Sequence, residues 1–188
     1  MAGRTTTLLL DGIWGRPRRF GALQRALEQS CGPAEIFRYA DWGNTPFEVL
    51  GARLADEVRR RGEPVNVLGF SMGGLVVRAA HLVDPTIRFR RAVFLNSPHR
   101  GSWLAHALPL PGVRQMRPGS DFMQRLHDAD WRFPTLATWC PADTMIVPGW
   151  YAKFDKAQEN ICCRMPAHIW PIKSAAVHRR VVEFLASV

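Results

Sequence analysis

A serine, an aspartate and a histidine, in that chain order, are the residues of this sequence best placed to do chemistry. Ser71 lies in Gly69-Phe70-Ser71-Met72-Gly73. An apolar run, Val65-Asn66-Val67-Leu68, precedes it, and a helical run, Leu75-Val76-Val77-Arg78-Ala79-Ala80, follows. This pattern predicts a strand, a sharp turn and a helix. A serine at the apex of such a turn is pushed out of the chain in a strained conformation, and the flanking glycines let strand and helix approach where a Cβ would clash. The helix N-terminus beneath it carries free N–H groups and a positive dipole end, which can stabilise an oxyanion. The plain alternative is an ordinary glycine-rich loop between strand and helix.

A serine hydroxyl is a poor nucleophile at neutral pH; it needs a base within hydrogen-bond reach, and the base needs an orienting acid. In parallel α/β sheets reactive groups gather at the carboxyl ends of the strands, so acid and base are sought just after late strands. Asp143 follows the run Thr135-Leu136-Ala137-Thr138-Trp139 and is the preferred acid. Asp128 and Asp130 precede that run, and Asp155 falls in a helix-like stretch, so these read as solvated or capping residues. His168 follows the run around Ile161–Arg164 and precedes the last helix, which makes it the preferred base. His178 falls inside that helix and is expected at the surface. His81 belongs to the helix after Ser71, and His99, His106 and His127 lie in the middle of the chain. An oxyanion hole needs two backbone donors: the N–H of Met72, next to the nucleophile, and one from the loop Asp11-Gly12-Ile13-Trp14-Gly15, where Ile13 is the choice.

The elements that must position these groups are legible as alternating patterns. Strands are expected at Thr6–Leu10, Glu35–Tyr39, Val65–Gly69, Arg91–Asn96, Thr135–Cys140 and Asn160–Arg164. Helices are expected at Arg18–Ser30, Pro46–Arg61, Met72–Leu82, Ser120–Asp128 and Lys173–Ala186. The last shows an apolar face through Val177, Val181 and Leu185. Such alternation implies βαβ units: about six mostly parallel strands with helices on both faces and no large cap. Residues 1–188 suit one domain. One stretch, 99–119, departs from the rhythm; its Leu108-Pro109-Leu110-Pro111-Gly112 predicts a long irregular excursion that fits a partial lid or a wall of the pocket. Five tryptophans follow predicted strand ends: Trp14, Trp42, Trp103, Trp150 and Trp170. They are expected near the catalytic face, lining an aromatic cleft for an acyl chain or an aromatic ester.

The bulk numbers set limits. The chain has 188 residues, 47% of them hydrophobic and 22% charged, enough for a substantial core. No apolar stretch is long enough to span a bilayer. Met1-Ala2-Gly3-Arg4 leads into Thr5-Thr6-Thr7-Leu8-Leu9-Leu10 with no cleavage-site pattern, so the run reads as a first strand and the expected compartment is the cytoplasm. The four cysteines, Cys31, Cys140, Cys162 and Cys163, show no zinc spacing and are expected as thiols at core or near-core positions. The formal charge is +9, with arginines scattered over helix ends and loops. Without a nucleic-acid-binding motif, this reads as a solvated basic surface and not as a nucleic-acid site. Exposed tryptophans beside basic residues are also compatible with peripheral contact with an anionic lipid surface.

With these residues in view, the chain resembles the α/β-hydrolase superfamily, and within it the small bacterial lipase/esterase group with a minimal fold. The likeness rests on Leu9-Leu10-Asp11-Gly12-Ile13-Trp14-Gly15, where the group usually has His-Gly and this chain has Asp11. It rests further on Gly69-Phe70-Ser71-Met72-Gly73-Gly74 and on Leu95-Asn96-Ser97-Pro98-His99-Arg100-Gly101-Ser102. Asp143 with Val147-Pro148, followed by His168, completes it. The resemblance implies a serine hydrolase acting on small-molecule carboxylic esters, esterase or lipase, through Ser71, His168 and Asp143 and an acyl-enzyme, with no metal and no cofactor. A thioesterase or acyltransferase would use the same residues. A non-catalytic binding protein on this scaffold would have no need of all three.

Overall fold

The computed structural model describes residues 5–39, 42–165 and 167–187; Met1-Ala2-Gly3-Arg4 lies outside them. The apolar runs become strands, the four central ones largely buried and the two edge ones partly exposed. They are β1 (Thr7–Leu10), β2 (Ala34–Ile36), β3 (Val65–Phe70), β4 (Phe89–Leu95), β5 (Thr135–Trp139) and β6 (Glu159–Cys162). They form one sheet in the order β2-β1-β3-β4-β5-β6, every pair parallel. Leu10 stands opposite Gly69, Phe70 opposite Leu95, and Leu95 opposite Thr138. The register therefore brings the carboxyl ends of β1, β3, β4 and β5 level, and everything that follows those ends shares one rim.

Among the described residues, five helices lie between strands, α1 (Gly21–Ser30), α2 (Phe47–Arg61), α3 (Met72–Val83), α4 (Pro111–Gln115) and α5 (Asp121–Asp128), and two follow the last strand, α6 (Trp170–Lys173) and α7 (Ala175–Ala186). Because side chains alternate along a strand, each of the four central strands feeds two cores. Leu8, Leu10, Val67, Ala92 and Phe94 pack under α2, α3 and α5. Leu9, Leu68, Val93, Leu95 and Leu136 pack under α1, α6 and α7. Gly51 of α2 lies so close to α3 that a Cβ there would stand 2.6 Å from the Ala79 carbonyl carbon. Buried Arg78, on α3, ties the second half of the chain to this layer. It donates to the carbonyls of His99 and Leu126 and lies 4.9 Å from the Phe154 ring centroid. Burial pulls its pKa down to about 10.

The expected helices are present with shifted starts. A short 3-10 turn, Pro17–Phe20, precedes α1. The last helix begins at Ala175, where the expectation was Lys173, because Ser174 caps it: the serine side chain accepts from the N–H of Val177. His178, expected at the surface, is buried. It faces α6, where its Nε2 donates to the carbonyl of Ile172 (2.6 Å). Cys31, Cys140 and Cys163 are buried thiols as expected. Cys162 is exposed, since it alternates outward from the edge strand β6.

Many of the arginines are ion-paired. Arg59 reaches Asp56 and Asp84, Arg61 reaches Glu35 and Glu57, and Arg180 reaches Glu159 and Glu183. Among the described residues, no helix is long and apolar enough to cross a membrane.

Candidate active site

Ser71 occupies the single residue between β3 and α3, with φ 52° and ψ −125°. That is the left-handed half of backbone space, which a residue with a Cβ adopts only under constraint. The constraint is visible. The Ser71 N–H donates to the carbonyl of Leu95 (2.9 Å), and its own carbonyl accepts from Gly74 (3.1 Å). The neighbouring glycines leave no alternative. A Cβ on Gly69 would lie 2.4 Å from the Gly74 nitrogen, and one on Gly73 would lie 2.3 Å from the Leu10 carbonyl oxygen.

Asp143 is fully buried in the loop after β5. Its Oδ1 accepts from the N–H groups of Met145 (2.8 Å) and Ile146 (2.9 Å), and its Oδ2 accepts from Asn96 Nδ2 (3.0 Å). His168 Nδ1 lies 2.9 Å from both carboxylate oxygens. A carboxylate only accepts, so Nδ1 carries the donated hydrogen and Nε2 presents its lone pair. That Nε2 is buried and has no hydrogen-bond partner among the described residues. The imidazole packs beside Phe70, the residue before Ser71, at 4.9 Å between ring centroids.

The loop after β1 lies against the serine. A Cβ on Gly12 would stand 2.9 Å from Ser71 Cβ and 3.3 Å from its Oγ. Asp11 shapes this loop: its carboxylate accepts from the N–H groups of Gly12 (2.7 Å) and Arg16 (2.7 Å) and pairs with Arg19 (3.2 Å). The Tyr39 hydroxyl donates to the Asp11 carbonyl. Among the described residues, the N–H groups of Ile13 and Met72 donate to no protein acceptor.

Ser71, Ile13 and Met72 line a common cleft of about 540 Å³, counting its open mouth, whose walls include Leu104, Leu108, Val113, Met116 and Met145. Most of these walls come from the 99–119 stretch, which holds a 3-10 turn at Trp103–His106 and helix α4. The aromatic lining expected from the sequence is corrected here. Only Trp14 of the five tryptophans lines the cleft; Trp42, Trp103, Trp150 and Trp170 do not. All five point outward, Trp42 most of all at 65% exposure. Aliphatic and methionine side chains of the 99–119 stretch and of the Asp143 loop fill the position instead.

A profile of the alpha/beta hydrolase family matches residues 10–185. The chain belongs to the alpha/beta hydrolase family.

Solved structures share this architecture. The mature form of Bacillus licheniformis lipase BlEst2 superimposes with a TM-score of 0.73 at 16% identity, over 100% of this chain and 94% of that one. Paleococcus ferrophilus monoacylglycerol lipase gives 0.73 at 18% identity, over 96% and 93%. The product of lin2722 from Listeria innocua gives 0.69 at 14%, over 99% and 95%. At these identities the likeness is one of fold. A comparison with curated protein sequences found no match.

In this alpha/beta hydrolase the structure brings Ser71, Ile13 and Met72 to one cleft, with Asp143 and His168 coupled beside the same turn. Asn96 was not singled out from the sequence, and Asp11 was noted there only as a departure from the group's usual histidine. Asn96 touches both the Asp143 and the His168 segments, and Asp11 acts through its side chain as the clamp of the loop that carries Ile13. The available signal for Asn96 was a buried-type strand ending in a polar residue, Val93-Phe94-Leu95-Asn96. Among the described residues, no group of three or more His, Cys, Asp or Glu side chains could hold a metal ion.

Proposed function

We propose that this chain is a serine hydrolase that cleaves carboxylic esters through an acyl-enzyme. Ser71 Oγ attacks the ester carbonyl while His168 Nε2 takes its proton. Asp143 keeps the imidazole in the tautomer with Nδ1 protonated and stabilises the imidazolium that forms. The N–H groups of Ile13 and Met72 stabilise the tetrahedral oxyanion. His168 then gives its proton to the leaving alcohol, and water repeats the cycle on the acyl-enzyme.

The observation that carries this reading is the state of His168. One ring nitrogen is committed to a fully buried carboxylate, and the other is buried with no hydrogen-bond partner among the described residues. A buried polar atom without a partner is costly, and a partner supplied by the reacting serine accounts for it at His168. Family membership and the apolar cleft at Ser71 support the same reading, as do similarly folded proteins named as lipases.

The test is hydrolysis of p-nitrophenyl esters from acetate to palmitate by wild type, Ser71→Ala and His168→Ala. Each substitution is expected to lower kcat by roughly 10^4-fold or more. The acyl-length optimum assigns esterase or lipase. Wild-type turnover of acyl-CoA alone, with no ester cleaved, would overturn the ester assignment in favour of a thioesterase. Activity undiminished in Ser71→Ala would overturn the nucleophile.

A further inference from the structure

Asn96 is the first residue after β4, and its side chain is wholly buried. Its φ is +43°, in the region that a residue with a Cβ occupies at a cost. Its backbone N–H still reaches the Thr138 carbonyl of β5, although β4 has ended at Leu95. What the conformation does is aim the amide sideways, across the carboxyl end of β5, at the acid and base segments.

Five hydrogen bonds fix it there. The Asn96 N–H is shared between the carbonyl (3.2 Å) and Oγ1 (3.1 Å) of Thr138. The Thr138 hydroxyl donates to Asn96 Oδ1 (2.9 Å). Asn96 Nδ2 donates to Asp143 Oδ2 (3.0 Å) and, at longer range, to the carbonyl of His168 (3.3 Å). The orientation of the amide is settled by its neighbours: Nδ2 faces two groups that can only accept, and a flip would set oxygen against oxygen.

We propose that Asn96 is a positioning residue for the acid–base pair. Through one amide it fixes the rotation of the Asp143 carboxylate and the backbone of the segment bearing His168. Met145 and Ile146 pin Oδ1 alone, so that, apart from the imidazole of His168 that is to be positioned, Oδ2 depends on Asn96 among the described residues. The Asn96 amide closes the remaining freedom by holding Oδ2. Its second bond, to the His168 carbonyl, sets the distance between the loops after β5 and β6. Thr138 acts one step further out by orienting the amide. Misplacement of catalytic groups on the ångström scale costs about 100-fold in rate, so the amide is expected to act on kcat and to leave KM unchanged. The proposal rests on the serine-hydrolase reading for its kinetic part only.

The test uses Asn96→Gly, which removes the amide and suits the positive φ. Two readouts are taken: kcat and KM on the best p-nitrophenyl ester, and the strongly hydrogen-bonded His168 Nδ1–H proton resonance, assigned by its absence in His168→Ala. The expected result is a kcat lowered by about 100-fold at unchanged KM, with the resonance lost or broadened by exchange. A purely structural asparagine would lower the melting temperature while kcat stays within about 3-fold and the resonance persists, and that result overturns the proposal. Should Asn96→Gly not fold, the near-isosteric Thr138→Val carries the test. It is expected to broaden the same resonance and to lower kcat by a smaller factor, and no change in either overturns the proposal. The resonance reports the acid–base pair whether or not esters are the substrate. Its behaviour therefore separates failure of this inference from failure of the ester assignment.

Discussion

Buried histidines that carry no charge tie the stability of this protein to pH. His81 sits among Trp131 and Phe133, and burial lowers its pKa. His99 is lowered further, by burial first and then by the neighbouring Arg78 charge. In the unfolded chain both return to their ordinary value near 6.5. The unfolded state therefore binds more protons once the pH falls below that value. Stability is full above it and is lost as the pH drops toward the folded pKa values, by up to ~1.4 kcal/mol per pH unit for each histidine. The melting temperature of the wild type is expected to fall between pH 7 and pH 5, and His81→Phe is expected to make that fall shallower. An identical slope in the variant would remove His81 from the account. Residue type, the apolar run before each and their order along the chain together singled out Ser71, Asp143 and His168. Asn96 was not legible in this way. Its three side-chain partners lie 42, 47 and 72 positions away, and no local pattern encodes such meetings.

The elements themselves were readable because the strands of a parallel sheet covered on both faces are near-continuous apolar runs with few polar positions. The runs at β3 and β4 are examples. Element contacts were harder to read, and the tryptophans show why: a residue placed after a strand end reaches the right rim, but its φ/ψ decides which way it points. Trp14 and Trp42 both have positive φ, which no spacing rule anticipates. Glycines make the contrast between elements measurable. At Gly73 an added Cβ meets only backbone, the carbonyl oxygens of Leu10 and Asp11 at 2.3 and 2.7 Å. At Gly62, the left-handed residue that ends α2, there is open space and only φ of +68° to oppose a side chain. Urea unfolding is expected to show Gly73→Ala losing about 3 kcal/mol or more. Gly62→Ala should lose about 1 kcal/mol. Equal losses would mean that the β3–α3 junction yields more easily than its packing implies.

At the scale of the molecule, the 99–119 stretch is fastened to the body at several points. The Ser102 hydroxyl donates to the Met145 carbonyl, the Gly112 N–H to the Gly43 carbonyl, and Gln115 bridges the N–H of Phe47 and the carboxylate of Glu48. A cover tied in this way behaves as a wall. Ester hydrolysis is therefore expected to follow simple saturation as substrate passes its solubility limit, and a many-fold jump above that limit would show that the wall opens. The parallel register has one more consequence. Every group assigned to the reaction stands beyond the carboxyl ends of the strands, while the short turn 62–64 lies where β3 begins, at the opposite pole. A tether or reporter spliced into that turn would hold the protein by its base, with the mouth of the cleft facing away from the support.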